Sequence, residues 1–151
     1  MKKPTVSIVT GTPGTGKTTI AKALAKKEKA VYIDVNAIIK KEKLHEKYDR
    51  KLKTRIIDIK KLNKRLIKLI KEYKKKKQAI VIDSHLSHYL PPKYIDRCIV
   101  TKCELKTLKK RLEKRKYSKK KVQENMHAEI FDVCLIEAIA NKQKKVKIIN
   151  T

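Results

Sequence analysis

Apolar residues recur along this chain in two rhythms. Short runs at 5–10 (TVSIVT), 30–35 (AVYIDV), 79–83 (AIVID), 94–101 and 146–149 read as strands. The third is apolar at every position up to its terminal acid, the pattern of a strand buried on both faces. Between these runs the period lengthens. Ala, Leu and Lys over 17–27 read as a helix, and Leu62, Leu66, Leu69 and Tyr73 recur at helical spacing between Ile59 and the lysine run 74–77. A further helix is expected over 104–116. Asn36 is placed as N-cap of a short helix through Ile38 and Ile39. Ser118 is placed as N-cap of a last helix that buries Val122, Met126, Ile130, Val133 and Leu135 and ends near Ala140. Residues 43–58 have no clean period and are expected to form an exposed arm. Strands alternating with helices imply an α/β fold with a parallel five-stranded sheet. With no internal repeat and no Gly/Ser linker, the 151 residues are expected to form one domain.

The first predicted strand runs into Gly11-Thr12-Pro13-Gly14-Thr15-Gly16-Lys17-Thr18. This meets GxxxxGK[ST] at every fixed position, with a strand before it and a helix after it. All three glycines of the chain lie here. Such a P-loop turns backbone N–H groups inward around phosphate oxygens, and the following helix adds its positive dipole end. Gly14, Thr15, Gly16, Lys17, Thr18 and Thr19 are therefore the candidate nucleotide-binding residues. Lys17 is expected to reach the β- and γ-phosphates of ATP, and the Thr18 hydroxyl to ligate Mg²⁺. Asp83 ends the third strand, where a Walker-B carboxylate helps to hold the same ion and where ligands meet open α/β sheets. An acid that simply closes a strand-end turn is the plain alternative.

Charge changes this picture less than its size suggests. Lys and Arg number 42 against 15 acids, a net charge of +27, yet only six of the 42 are arginine. Two explanations stay open: an anionic partner such as nucleic acid, or a lysine-rich composition that solvates every exposed face. No uncharged apolar run approaches the ~20 residues of a membrane span. The run 6–9 is too short for the apolar part of a signal peptide and leads into the glycine loop. Cys98, Cys103 and Cys134 are odd in number and lack metal-ligand pairing, so they read as reduced, mostly core cysteines of a cytoplasmic protein.

Three segments together resemble a known family: GTPGTGKTT, the D-x-H at Asp83-Ser84-His85, and RLEKRKYSKKKVQENMHAEIF from Arg111 to Phe131. The chain is similar to adenylate kinases. More narrowly, it resembles the small adenylate-kinase-like NTPases of archaea and eukaryotic nuclei that assist maturation of the small ribosomal subunit. The resemblance implies an adenylate-kinase-like core with a monophosphate-binding arm over about 36–58 and a short lid over about 115–121. It also implies ATP hydrolysis, phosphoryl transfer to AMP, and a ribosomal-protein partner on the small-subunit platform near the 3′ end of the rRNA.

Site roles follow from that resemblance. His85 matches the D-x-H histidine tied to ATP turnover, where imidazole can orient a water or a phosphate; a loop histidine bonded to backbone is the alternative. His88, three residues on, makes an H-x-x-H that is weak evidence for zinc without further ligands. Arg115 is the expected lid arginine, because a planar fork suits the charge spread over transferring oxygens. Arg111 serves either there or structurally. Asp34 is a candidate contact in the arm, or a plain strand-end acid. The arm departs from the adenylate-kinase pattern: NAIIKKEKL offers Lys40 where an arginine is usual, a point charge in place of a bidentate fork. This counts against efficient AMP phosphorylation and leaves ATP binding untouched.

The function read from the sequence is thus a Mg-ATP-dependent monophosphate kinase with ATPase activity. An ATP-switched assembly factor is the alternative, with eleven basic residues against two acids over 101–121. Direct rRNA contact would accompany it. A shikimate- or gluconate-type small-molecule kinase lacks a visible substrate cluster, and a purely RNA-binding protein would have only seven aromatics for base stacking.

Overall fold

The elements of this computed structural model, which describes residues 3–49 and 54–151, run in the order β1 (Val6–Gly11), α1 (Lys17–Glu28), β2 (Val31–Asp34), α2 (Val35–Glu42), β3 (His45–Asp49), β4 (Thr54–Ile57), α3 (Ile59–Lys75), β5 (Ile80–Asp83), β6 (Arg97–Lys102), α4 (Leu105–Lys114), α5 (Lys119–Ile130), α6 (Val133–Ala140) and β7 (Val146–Asn150). The predicted strands join into one parallel sheet, ordered β2-β5-β1-β6-β7. Alternate residues divide between its faces. Val6, Ile8, Ile80 and Ile82 pack with the buried leucines of α3, while Val9, Val81 and Ile99 meet Ala21 and Ala25 of α1. A sheet covered on both faces explains why its strands read as near-continuous apolar runs.

A third cluster lies beside the phosphate loop, where Cys103, Leu108, Leu112 and Val122 are buried with Tyr117 and Met126 against them. It fastens α4 to α5 and so supports the connection between them. The expected lid over 115–121 is this turn together with the first residues of α5. The expected arm comprises α2 and a separate antiparallel hairpin, β3–β4, joined to α3 by the N-cap Asp58; residues 50–53 lie outside the described residues.

Three sequence expectations need correction. Asp34, not Asn36, caps α2: β2 runs directly into the helix, and the Asp34 carboxylate accepts from Ala37 N at 3.3 Å. The strand expected from Tyr94 begins at Arg97, because Pro92–Tyr94 forms a 3-10 turn with proline in its first position. The last helix is two helices. Asp132 takes a left-handed conformation (φ 52°), tolerated by aspartate, and α6 leaves in a new direction, with Ile130 and Val133 exposed at the break. Ser118 caps α5 as expected, accepting from Lys121 N at 3.1 Å.

Candidate nucleotide site

Neighbouring strands β1 and β5 send the chain in opposite directions, β1 through α1 to β2 and β5 across β1 to β6. Their carboxyl ends therefore open the crevice where α/β sheets take ligands. The phosphate loop follows β1 at this point. Gly14 (φ 94°) and Gly16 (φ 88°) both adopt left-handed backbone, which L side chains rarely do. A Cβ on Gly14 would also meet Leu108 at 2.9 Å, so the loop needs glycine there both to turn and to seat α4. The loop is braced from within. Thr15 Oγ1 donates to Thr12 O at 2.6 Å and lies 2.7 Å from the Thr101 hydroxyl on β6. Arg111 donates to Gly14 O at 3.1 Å and to Thr151 Oγ1 at 3.0 Å, and that hydroxyl donates in turn to Thr15 O.

A cleft of about 560 Å³ lies over the loop and brings the predicted residues together. Gly14, Gly16, Lys17, Thr18, Thr19, Asp83, His85 and Arg115 all line it. Thr15 does not; it is fully buried behind the loop, and Asp34 and Lys40 also lie outside the lining. Asp34 is occupied as the cap of α2, and Lys40 is an exposed residue of that helix. Asn36 faces the cleft from the same helix.

Lys17 Nζ donates to Gly11 O at 3.1 Å and Thr12 O at 3.3 Å, folded back onto its own loop. Burial pushes its pKa down to about 8, against the opposing pull of Asp83. It is the site's main cation, held by weak acceptors that a phosphate can replace. Thr18 Oγ1 donates to Asp83 Oδ2 at 2.8 Å, and Tyr32 OH donates to the same oxygen at 2.6 Å. A hydroxyl and a carboxylate at hydrogen-bonding distance are a hard-oxygen pair suited to Mg²⁺, which keeps several waters and takes few protein ligands. The donor set thus fits the ion that the sequence implies.

His85 lies beyond Asp83 in the cleft wall, and burial, with Lys17 adding to it, pushes its pKa down to about 4. It is a neutral imidazole at physiological pH. His88 turns away into the core: Nδ1 lies 2.6 Å from Thr10 Oγ1 and Nε2 3.3 Å from Glu137 Oε1, while Tyr89 OH donates to the other Glu137 oxygen. These bonds give His88 a structural occupation. Among the described residues no group of His, Cys, Asp and Glu is arranged to hold a metal.

Sequence reasoning missed Tyr32, Glu129 and Glu137. Tyr32 sits in a strand run that reads as plain core. Glu129 bonds the loop from α5, with Oε1 accepting from Thr12 Oγ1 at 3.1 Å. Its signal was present, as a charged residue at an apolar-stripe position. A second cleft of about 530 Å³ shares Gly14, Gly16, Thr19 and Arg115 with the first and adds Arg111, Asn150 and Thr151. No helix among the described residues is long and apolar enough to cross a membrane.

Known proteins agree with this geometry. Residues 8–132 match the family described as an AAA domain. A protein of Methanocaldococcus jannaschii named "Putative adenylate kinase" is 45% identical over 130 residues, 86% of this chain and 70% of that protein. The adenylate kinase isoenzyme 6 homolog of Schizosaccharomyces pombe is 37% identical over 139 residues, 92% of this chain and 77% of its own length. The Dictyostelium discoideum homolog of the same name is 34% identical over 136 residues, 90% of this chain and 74% of that protein. Among solved structures, a sugar kinase from Janibacter superposes with TM-score 0.62 at 14% identity, covering 97% of this chain and 85% of that one. Shikimate kinase from Bacteroides thetaiotaomicron gives 0.54 at 15% identity, covering 94% and 84%. At such identities the structures bear on the fold alone. The relatives of higher identity settle the family: the chain belongs to the adenylate-kinase-like nucleotide kinases.

Proposed function

We propose that this protein is a Mg-ATP-dependent nucleoside monophosphate kinase, converting ATP and AMP to two ADP, that also hydrolyses ATP. The observation that carries this reading is the single cleft in which Lys17, the Thr18–Asp83 pair, His85 and Arg115 converge over the phosphate loop. In it, Lys17 exchanges its two loop carbonyls for phosphate oxygens. The adjoining cleft beside Arg111 and Thr151 would take the nucleoside of ATP. Asp83 and Thr18 would hold Mg²⁺, which supplies charge neutralisation between the phosphates. Arg115, at the end of α4, brings a planar donor to the transferring group. His85, neutral and aimed into the cleft, accepts a hydrogen bond from the attacking water or orients an acceptor phosphate. Among the described residues lining the cleft, Arg115 is the one arginine, so the acceptor phosphate depends on Lys17, Lys121 and His85. For Lys40 to join them, α2 would have to carry it inward, bringing Asp34 along.

The test is ADP formation from Mg-ATP with and without AMP, in the unaltered protein and in Lys17→Met. AMP-dependent ADP that vanishes in the variant supports the reading; no nucleotide turnover by a folded protein that binds ATP refutes it.

A second reading draws on the basic segment 101–121, which spans the end of β6, α4 and the start of α5. Here ATP binding switches the protein on and off a small-subunit ribosomal protein of the platform, with rRNA beside it, during subunit maturation. Pull-down of that protein with and without nucleotide decides it, and nucleotide-independent binding counts against the switch.

A further inference from the structure

α5 leaves the lid with Val122, Met126 and residue 129 on one face, at the spacing of successive helical turns. The first two pack into the apolar cluster beside the loop. The third is a glutamate, 6% exposed, where the stripe calls for an apolar side chain. A buried carboxylate is costly unless fully partnered. Here it is. Oε1 accepts from Thr12 Oγ1 at 3.1 Å and lies 3.4 Å from Lys102 Nζ, and Oε2 accepts from Cys103 N at 3.0 Å. One carboxylate thus joins the phosphate loop, the β6–α4 turn and the helix that carries Lys121 into the cleft.

Its partner in the loop is also the residue that Lys17 touches. The Thr12 carbonyl accepts from Thr15 N, Thr15 Oγ1 and Lys17 Nζ, while the Thr12 side chain reaches Glu129. The other lid stem is tied to the loop through Arg111 and Gly14 O. When Lys17 leaves Thr12 O for a phosphate, the change at Thr12 therefore passes to α5 through one hydrogen bond. We infer that Glu129 is a positioning residue that couples the phosphate loop to the lid, so that an occupied loop draws Arg115 and Lys121 over the nucleotide. The inference rests on the kinase reading for its effect on turnover, but not for its effect on lid closure.

Trypsin offers the separate readout, because the lid turn 115–121 is a run of basic residues on which it acts. In the full chain, a non-hydrolysable ATP analogue should slow cleavage in the lid by about tenfold as closure orders it. In Glu129→Ala the analogue should bind within about threefold of the original affinity, while protection is lost and kcat falls about 30-fold. Glu129→Gln keeps one acceptor oxygen and should recover part of both. Retained protection and kcat in folded Glu129→Ala overturn the inference. So does a loss of affinity that matches the loss of kcat and is not eased by glutamine, the mark of a merely structural role. Should Glu129→Ala fail to fold, Thr12→Val removes the loop donor and leaves Glu129 its other partners; protection retained there overturns it equally. Protection without turnover in the unaltered protein sinks the kinase reading alone, and analogue binding without protection sinks the coupling alone. No analogue binding at all sinks both.

Discussion

The Tyr32 hydroxyl, on the adjacent strand β2, donates to Asp83 Oδ2 at 2.6 Å, the same oxygen that takes Thr18. The phenol and the Thr18 hydroxyl together hold the carboxylate through that one oxygen, in the wall of the cleft. Removing a partner of this kind typically weakens metal binding by about tenfold or more. Tyr32→Phe should thus raise the Mg²⁺ concentration for half-maximal turnover by about tenfold at unchanged nucleotide affinity. A Mg²⁺ titration at saturating ATP reads this directly, and an unshifted midpoint contradicts it.

Arg111 and Arg115 should separate cleanly. Arg111 is bonded to Gly14 O and Thr151, so Arg111→Ala should loosen the loop and lower both thermal stability and ATP affinity. Arg115 lines both clefts without a side-chain hydrogen bond among the described residues. Arg115→Ala should leave the melting temperature unchanged and lower kcat by about 10³, the scale of an arginine acting on a transferring phosphoryl group. Steady-state kinetics alongside thermal unfolding of both variants checks the division; equal effects would refute it.

Lys17 makes a prediction about stability as well as turnover. Burial lowers its pKa from 10.5 to about 8, so below pH 8 the fold carries a desolvated ammonium. The unfolded chain holds that proton up to 10.5, so this cost is relieved as pH rises from about 8 to 10.5. Lys17→Met should abolish turnover and yet unfold at the same temperature or higher at pH 7. A marked fall in melting temperature would mean that Lys17 holds the loop together.

His85 and His88 set an acid limit. Burial lowers both pKa values, that of His85 to about 4, and Glu137 only partly opposes the shift at His88. In the unfolded chain each takes up a proton near 6.5; in the fold each stays neutral to lower pH. Their contribution is therefore intact above about pH 7 and is lost as pH falls below 6.5, at up to about 1.4 kcal/mol per pH unit for each. His88→Gln should reduce that slope, read from urea midpoints between pH 7.5 and 5. An unchanged slope would assign the acid sensitivity to other groups.

The residues legible in the sequence are those whose meaning is local. The phosphate loop is a fixed spacing between a strand and a helix, and Asp83 and His85 follow from where one strand stops. Tyr32 was not legible, because its partner lies 51 positions away and only the sheet order brings them close; Glu129 stands out in the sequence as a charge on an apolar stripe, but its partner, 117 positions away, does not. The stripe Val122, Met126, Ile130, Val133 looked continuous by period alone; the turn at Asp132 ends it, and the position that faces the loop is Glu129. Likewise Asn36 and Asp34 were equally good caps on residue type, and the choice depended on β2 ending one residue before α2 begins. The +27 charge said least about the site: its bonded cations are Lys17 and Arg111, and the other basic residues of the cleft walls are few.

Everything proposed for this cleft turns on phosphoryl transfer from Mg-ATP to a monophosphate acceptor. Its most direct measurement is the product balance of the purified protein given Mg-ATP and AMP together. Two ADP should form for each ATP and AMP consumed, with a minor release of inorganic phosphate and none of either product from Lys17→Met. Inorganic phosphate equal to the ATP consumed, with AMP left untouched, would contradict it.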